Sequence, residues 1–202
     1  MSVTAFSFPT NIQFGAGARR LVAAHLREAG YQRPLLVTDK ALATLPVLDE
    51  FKTHLEGLDV AVFSGVFGNP TTGQVMAGAV AFIGHRADCI IGFGGGAALD
   101  VAKLVGVAAT HTGDIIEYVW DHPEVRAIEH PLPYLVALPT TAGTGSEVGR
   151  ASVISEDDSH LKRVVFNPKL LAKCVFADPE LTLSLPPHIT AATGIDALTH
   201  NI

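Results

Sequence analysis

Basic residues are scarce in this sequence and are nowhere clustered. The 202 residues include 14 Lys and Arg against 20 Asp and Glu, so the formal net charge is -6. Nucleic acids and anionic membranes are bound through clusters of positive charge. The sequence therefore predicts neither of these partners.

Long hydrophobic runs are also missing. No stretch of about 18 apolar residues runs uninterrupted, although a membrane-spanning helix needs one. The first residues, MSVTAFSFPTNIQF, lack the basic segment and sustained apolar stretch of a secretory signal. We therefore expect a cytoplasmic protein.

Cysteine is nearly absent from the chain. Cys89 and Cys174 are the only two, and each stands among apolar neighbours, in ADCIIGF and AKCVFAD. A cysteine in such surroundings usually behaves as a small buried hydrophobe. The pair predicts neither a disulfide framework nor a zinc cluster.

What the sequence does contain is a regular alternation of short apolar runs with longer segments of helical period. Runs such as PLLVTD and ADCIIGFG alternate with segments such as TTGQVMAGAVAFIGHR and GAALDVAKLVGVAAT. Alternation of this kind is typical of βαβ units around a parallel sheet. The stretch 145–166, between two later strand-like runs, predicts a hairpin or irregular strands. The predicted class is α/β.

The pattern changes after Asp178. The segment DPELTLSLPPHITAATGIDALTHNI has a Pro-Pro step and then a helix-like stretch rich in Ala and Thr. We expect a domain junction here, with residues 1–184 in one domain and residues 185–202 beginning another. The sequence stops two residues after His200, inside the predicted helix and without a stop signal. We interpret the second domain as truncated.

A glycine-rich turn links an apolar strand to a helix in ADCIIGFGGGAALDVAK. Glycines at Gly94, Gly95 and Gly96 would let the backbone approach a pyrophosphate, whose charge the N-terminus of the helix attracts. A tight turn that needs positive φ is the alternative interpretation. The match to the G-x-G-x-x-G/A template, through Gly92, Gly94 and Ala97, is weak evidence by itself.

Two aspartates are candidates for binding a ribose. Asp114 has the usual spacing after the glycine turn, but it begins an apolar segment instead of ending a strand. Asp39 ends the strand-like run PLLVTD, where a carboxylate reaches the ligand crevice of an open sheet. A carboxylate there would favour NAD over NADP. A turn or helix-capping role is the alternative for Asp39.

A second polar loop follows the apolar run LPYLVALP. It carries four hydroxyl groups between small residues, at Thr140, Thr141, Thr144 and Ser146. Such a loop can wrap a polar ligand with hydroxyl and amide donors, although a solvated turn is the alternative. Lys162, in HLKR, is by itself typical of a solvent-facing lysine.

Asp196 and His200 are four residues apart in a predicted helix and so share one face. A carboxylate and an imidazole at this spacing can chelate Fe²⁺ or Zn²⁺. A surface pair or a polar contact in the core is the alternative. Two ligands are too few for a tight site.

Four motifs together resemble the iron-containing alcohol dehydrogenase family, of the group III type. They are GGGAALDVAK, LPTTAGTGSE, DPEL and TAATGIDALTH, and the segments GNPT and GDIIEY also match. The resemblance covers essentially the whole chain. It implies a Rossmann-like, dinucleotide-binding domain followed by a helical domain, with metal and substrate in the cleft between them.

The resemblance also implies particular site residues. It assigns to the cofactor Asp39 at the ribose, Asn69 near the adenine, Gly95, Gly96 and Ala97 at the pyrophosphate, and Thr140, Thr141, Thr144 and Ser146 along its length, with Lys162 nearby. Asp196 and His200 would be the first two metal ligands. The implied activity is NAD-dependent interconversion of an alcohol and an aldehyde or ketone, with Fe²⁺, or alternatively Zn²⁺, as Lewis acid. Family members commonly form dimers, and AFSFPTNIQF could pair by edge addition.

Two features depart from the family pattern. Ala97 stands where the family usually has serine, so one hydroxyl directed at phosphate is lost and phosphate affinity is expected to be weaker. The family completes its metal site with two histidines beyond position 202. We therefore expect no complete catalytic site in this chain.

Two alternatives of other classes remain open. One is a nucleotide-binding fragment without catalytic activity. The other is a metal-dependent lyase of the dehydroquinate-synthase kind, against which TTAGTGSE and TGIDALTH argue.

Overall fold

Six parallel strands form the central sheet of the computed structural model, which describes residues 10–202. The strands along the chain are β1 (Asn11–Phe14), β2 (Pro34–Asp39), β3 (Ala61–Val66), β4 (Cys89–Gly94), β5 (Tyr134–Pro139), β6 (Ala151–Ser155), β7 (Lys162–Phe166) and β8 (Cys174–Ala177). The order across the sheet is β1-β8-β5-β4-β2-β3, and every neighbouring pair is parallel. The predicted α/β class is confirmed.

Helices cover both faces of this sheet, which is therefore the middle of three layers. The helices are α1 (Val22–Glu28), α2 (Pro46–Thr53), α3 (Thr72–His85), α4 (Gly96–Thr110) and α5 (Pro187–His200). Leu26 of α1 and Phe51 of α2 pack with Phe93 of β4 in one apolar cluster. Val75 of α3 and Leu104 of α4 belong to the cluster on the other face. Burial on both faces explains why β2, β4, β5 and β8 are nearly continuous apolar runs.

The chain changes direction across the sheet at β2. From β2 it moves outward to β3, and it then returns to the other side of β2 as β4. In open α/β sheets, ligands bind at such a switch point, outside the carboxyl ends of the strands. Asp39 ends β2 and Gly94 ends β4, so both residues lie at this crevice.

Strands β6 and β7 form a separate antiparallel hairpin. Main-chain hydrogen bonds attach the hairpin to its surroundings. The Ser155 N–H donates to the Pro70 oxygen at 2.8 Å, and the Trp120 N–H donates to the Val164 oxygen at 2.9 Å. Of the two alternatives predicted for residues 145–166, the structure has the hairpin.

The two ends of the chain bear on the remaining predictions. Of the predicted N-terminal strand, residues 11–14 form β1, and residues 5–9 lie outside the described part. The helix predicted at the Pro-Pro step is α5, which starts at the second proline, Pro187, whereas the domain division at residue 184 stays a prediction. No helix in residues 10–202 has the length and apolar character needed to cross a membrane.

Candidate functional site

The glycine turn, residues 94–96, connects the carboxyl end of β4 to the start of α4. Gly94 has φ +151°, and a Cβ added there would lie 2.7 Å from the Ala98 Cβ. Only glycine fits this position. Gly95 precedes α4, and no side chain among the described residues caps the helix. The first N–H groups of the helix therefore have no capping side chain in the described part of the protein, and an anion would satisfy them well.

The hydroxyl loop, residues 140–146, packs directly against the glycine turn. A Cβ added at Gly96 would lie 2.7 Å from the Thr144 Cγ2, and one at Gly95 would lie 3.4 Å from the Thr141 side chain. The threonine side chains of the loop can approach the turn this closely because glycine has no side chain. The half-buried glycines Gly95 and Gly96 thus lie beside the hydroxyl groups of Thr141 and Thr144.

Thr140 and Asp39 anchor this edge of the sheet. The Thr140 N–H donates to the Gly94 oxygen at 3.0 Å, and its side chain is buried. The Asp39 Oδ1 accepts from the Leu42 N–H at 2.7 Å, which is the turn role that the sequence allowed. A Cβ added at Gly94 would lie 3.4 Å from the Asp39 Oδ2. The carboxylate is thus beside the glycine turn.

A cavity of about 650 Å³ lies where the glycine turn, the hydroxyl loop, the hairpin and α5 meet. The residues that line it are Asn69, Pro70, Gly96, Ala97, Asp100, Thr144, Gly145, Ser146, Gly149, Ala151, Val153, Ser155, Lys162, Asp196 and His200. The structure therefore brings together predicted residues from distant segments of the chain. The predicted residues that do not line the cavity are Asp39, Gly95, Thr140 and Thr141.

Asp100 and Lys103 of α4 are polar residues near the cavity that the sequence prediction missed. The Lys103 Nζ donates to the Ser146 Oγ at 2.9 Å and lies 3.6 Å from the Asp100 Oδ1. Burial raises the pKa of Asp100 and lowers that of Lys103, and their mutual attraction opposes both changes. A signal was present, because these are the only charged residues in the otherwise apolar helix GAALDVAKLVGVAAT.

Helix α5 brings the two predicted metal ligands to the cavity. The His200 Nε2 and the Asp196 Oδ1 are 3.8 Å apart, and both side chains are about half exposed. Two donor atoms about 2.1 Å from one metal ion stand about 3.4 Å apart in tetrahedral geometry, so a small side-chain rotation suffices. Within residues 10–202 no group of three potential ligands is present. The pair fits a metal ion but supplies only part of its coordination.

The structure also gives Asp114 a role away from the cavity. Its side chain accepts from the Ile116 N–H at 3.1 Å, and Glu117 accepts from the Asp114 N–H at 3.1 Å. This capping box begins a short 3₁₀ helix, Ile115–Tyr118. Asp114 therefore has a capping role here, and the preference for Asp39 as the residue that binds the ribose stays a prediction.

Comparison with known proteins gives consistent matches. The sequence pattern described as iron-containing alcohol dehydrogenase matches residues 9–179. A long-chain-alcohol dehydrogenase of Geobacillus thermodenitrificans (strain NG80-2) is 40% identical over 207 residues, which cover 100% of this chain and 51% of that protein. The chain spans about half the length of the curated relatives it matches.

Solved structures agree with the sequence relatives. The crystal structure of a 1,3-propanediol oxidoreductase superposes with a TM-score of 0.89 at 37% identity, covering 98% of this chain and 52% of the other. A sulfoacetaldehyde reductase from Bifidobacterium kashiwanohense, solved in complex with NAD⁺, superposes with a TM-score of 0.86 at 28% identity, covering 97% and 51%. The sheet and its helices are thus similar to one half of these enzymes.

Proposed function

The chain belongs to the iron-containing alcohol dehydrogenase family, and from this premise we propose that it supplies the dinucleotide site of an NAD-dependent alcohol dehydrogenase. The whole protein would interconvert an alcohol and an aldehyde or ketone. The supporting observation is the contact between Gly96 and Thr144, where the uncapped start of α4 meets the hydroxyl loop. A pyrophosphate placed there would receive main-chain N–H bonds and the field of a helix of 15 residues.

The residues proposed for the cofactor differ in the part of it that they would contact. Gly95, Gly96 and Ala97 would hold the pyrophosphate through main-chain N–H groups. Thr140, Thr141, Thr144 and Ser146 would line the cofactor, while Asn69 would lie on its adenine side and Lys162 nearby. Ala97 lacks the hydroxyl that the family usually has here, so the backbone alone would make that contact.

Asp39 supports NAD rather than NADP as the cofactor. Its carboxylate lies beside the glycine turn at the carboxyl end of β2, where a ribose of the dinucleotide would lie. A carboxylate accepts hydrogen bonds from ribose hydroxyls and repels a 2′-phosphate.

Asp196 and His200 would contribute two ligands to a metal ion on the cavity side of α5. A carboxylate and an imidazole suit Fe²⁺, which the family implies, and also Zn²⁺. The bound ion would supply Lewis-acid polarisation of the substrate oxygen. Residues 1–184 would form the dinucleotide domain, and residues 185–202 would begin the helical domain.

Strand β1 supports pairing of two copies into a dimer. Among residues 10–202 it is at one edge of the sheet and is bonded only to β8, and its residues Ile12 and Phe14 are 47% and 80% exposed. Edge strands with exposed apolar residues readily pair with another chain.

We place the protein in the cytoplasm, in keeping with Cys89 and Cys174, which are both free thiols.

Titration of the chain with NADH, followed by nicotinamide fluorescence, tests the proposed cofactor site. NADPH is titrated in parallel and should bind more weakly. Reduction of NAD⁺ by ethanol or propanediol is assayed with added Fe²⁺. Binding without turnover supports a dinucleotide site with an incomplete metal site, and turnover supports the full activity. Absence of NADH binding would overturn the cofactor assignment, and binding without hydride transfer in the whole protein would favour the lyase alternative.

A further inference from the structure

The turn of the β6–β7 hairpin, residues 156–161, keeps its shape through bonds within the hairpin. The Glu156 carboxylate accepts from the Ser159 Oγ at 2.5 Å and from the Arg163 Nε at 2.8 Å. The neighbouring carboxylate, that of Asp157, makes its hydrogen bonds outside the hairpin. Asp157 is therefore the residue of the turn that connects it to another element.

The element that Asp157 contacts is the start of α3. Its Oδ2 accepts from the Gly73 N–H, 84 residues earlier in the chain, at 2.6 Å, and also from the Thr72 hydroxyl. The N-terminus of a helix stabilises a negative charge, and α3 has 14 residues. The hydrogen bond from Thr72 holds the pKa of the Asp157 carboxyl below its ordinary value, so the group is ionised at neutral pH. This charge-assisted contact, the Asp157 clamp, attaches the hairpin turn to α3.

The start of α3 directly follows the GNPT segment, residues 68–71, which is also bonded to the hairpin. The Ser155 N–H donates to the Pro70 oxygen at 2.8 Å. Asn69 and Pro70 line the cavity from the GNPT segment. Ser155 and Lys162, which are paired across the hairpin, line it from the hairpin. The clamp therefore lies beside the point where two segments of the cavity wall meet.

The body of the hairpin is held to the protein independently of Asp157. Ser152 and Ile154 of β6 and Val165 of β7 are fully buried. Lys162, by contrast, is exposed and stands at the end of β7 next to the turn. A two-stranded hairpin is only marginally stable by itself, so the position of its turn end depends on contacts with neighbouring segments. Loss of the clamp would therefore shift Lys162 without unfolding the hairpin.

We propose that Asp157 is a positioning residue for the adenosine end of the dinucleotide, because it holds the hairpin turn on α3 and so sets the position of Lys162 relative to Asn69. The inference rests on the proposed function, in which Asn69 lies on the adenine side of the cofactor and Lys162 lies nearby. Asp157 is not among the residues that line the cavity, so it acts through Ser155 and Lys162.

The first test compares Asp157→Ala with Asp158→Ala, which removes the next carboxylate of the same turn. Both aspartates are exposed, and within residues 10–202 the Asp158 side chain has no hydrogen-bond partner. We expect the NADH Kd, measured by fluorescence titration, to rise about fivefold in Asp157→Ala and less than about twofold in Asp158→Ala. Equal NADH affinities in the two variants would overturn the proposal.

A second test asks whether Asp157 acts through Lys162. In the Asp158→Ala background, Lys162→Met should raise the NADH Kd by about three- to tenfold. In the Asp157→Ala background the same substitution should have less than about a twofold effect, because Lys162 is already displaced. An equal loss of affinity in the two backgrounds would show that the two residues act independently, which would refute the positioning role.

Hydrogen exchange separates failure of this inference from failure of the proposed function. Without cofactor, the amides of Gly73 and of residues 156–162 should exchange at least about fivefold faster in Asp157→Ala than in Asp158→Ala, while those of residues 151–154 keep their rates. Equal exchange in the two variants would refute the clamp, whether or not NADH binds. If the exchange is faster and the wild-type chain binds no NADH, the cofactor assignment fails while the clamp on α3 stands.

Discussion

At Gly96 the glycine turn and the hydroxyl loop come closest together. A Cβ at this position would lie 2.7 Å from the Thr144 Cγ2 and 2.8 Å from its Oγ1. Contacts this short force one of the two segments to move. The residue type is therefore fixed by the approach of the loop, since the φ of Gly96 is ordinary.

We predict that Gly96→Ala weakens NADH binding by at least tenfold while leaving the unfolding midpoint nearly unchanged. The methyl group would push Thr144 away and cover main-chain N–H groups that a pyrophosphate needs. Fluorescence titration measures the affinity, and urea unfolding measures the stability.

Gly84→Ala is the matched control for this substitution. A Cβ at Gly84, in α3, would meet nothing within 4 Å. The control should keep its NADH affinity and gain roughly 0.5–1 kcal/mol in stability from helix propensity. Equal NADH affinity in the Gly96→Ala and Gly84→Ala variants would contradict a phosphate site at the glycine turn.

Asp178 follows β8, and its fully buried side chain contacts the mostly buried guanidinium of Arg19. The Arg19 Nη1 donates to the Asp178 Oδ2 at 2.6 Å, and main-chain N–H groups of Arg19 and Glu180 donate to the same carboxylate. Burial raises the pKa of this carboxyl, but the hydrogen bonds outweigh burial, and its pKa lies below the ordinary value. Ionised Asp178 therefore stabilises the folded state.

We predict that Asp178→Asn lowers the free energy of unfolding at pH 7 by about 2 kcal/mol, because Arg19 loses its most buried partner. The pKa of Asp178 is lower in the folded than in the unfolded state. The ionised carboxylate therefore stabilises the fold fully above the unfolded pKa of about 3.9, and this stabilisation disappears as pH falls through the folded pKa. The difference in free energy of unfolding between wild type and Asp178→Asn should be equal at pH 7 and pH 5 and should shrink below about pH 3.9.

Urea unfolding at several pH values measures this difference. Asp49→Asn, in an exposed pair with Lys52, should cost less than about 0.5 kcal/mol at every pH. A wild-type advantage over Asp178→Asn that persists unchanged at pH 3 would contradict the role of the ionised carboxylate.

Residues whose function depends on a partner elsewhere in the chain were the hardest to find from the sequence. Asp39 could be chosen over Asp114 because a carboxylate at the end of a strand faces the crevice. Asp100 and Lys103 were missed, because their partner Ser146 is 46 residues away from Asp100 along the chain. Their hydrogen bonds to Ser146 exist only because the hydroxyl loop packs on α4.

Helix α5 is the element whose position matters most for the proposed metal site. It contacts the hydroxyl loop at Gly143, where a Cβ would lie 2.8 Å from the Thr193 main-chain oxygen and 3.0 Å from its Cβ. Its Ile195 and Leu198 side chains are 64% and 55% exposed. The loop contact is therefore important for holding Asp196 and His200 at the cavity.

We predict that Gly143→Ala displaces α5, because main-chain atoms of the helix cannot yield as a flexible side chain would. Amides of residues 187–200 should then exchange faster with solvent, by at least fivefold, while those of the central sheet stay protected. Hydrogen exchange with mass spectrometry measures both.

The control for this prediction is Gly149→Ala, whose added Cβ would meet its nearest atom at an ordinary 3.5 Å. It should leave the exchange of α5 unchanged. Equal protection of α5 in the Gly143→Ala variant and wild type would show that the loop does not hold the helix.

Elements with a strong local pattern were predicted closely. Helix α4 spans the predicted GAALDVAKLVGVAAT segment, and β2 spans the predicted PLLVTD run. Their apolar periodicity and bounding glycine or aspartate are local properties. The β6–β7 hairpin could only be given as one of two alternatives, and its attachment to Pro70 and Trp120 is a tertiary contact that local sequence does not show.

The molecule as a whole should be stabilised by its cofactor. A ligand that binds only the folded state adds about 2.7 kcal/mol to the free energy of unfolding at 100 times its Kd. For a domain of this size we predict a rise in the melting temperature of roughly 5–10 °C with saturating NADH. Differential scanning calorimetry measures the shift.

Nicotinamide alone is the control for cofactor stabilisation, because it lacks the pyrophosphate. It should leave the melting temperature within about 1 °C of the free protein. A shift with nicotinamide as large as that with NADH would argue against binding centred on the glycine turn.

The sequence by itself determined the α/β class, the positions of the main strands and helices, the glycine turn and the family, because these depend on local periodicity and contiguous motifs. The tertiary structure alone decided which distant segments share a cavity. It brought the GNPT segment, the hydroxyl loop, the hairpin and α5 together, and it placed the Asp100–Lys103 pair against Ser146. These relations depend on loop packing and on the cost of burying charge, which local sequence patterns do not encode.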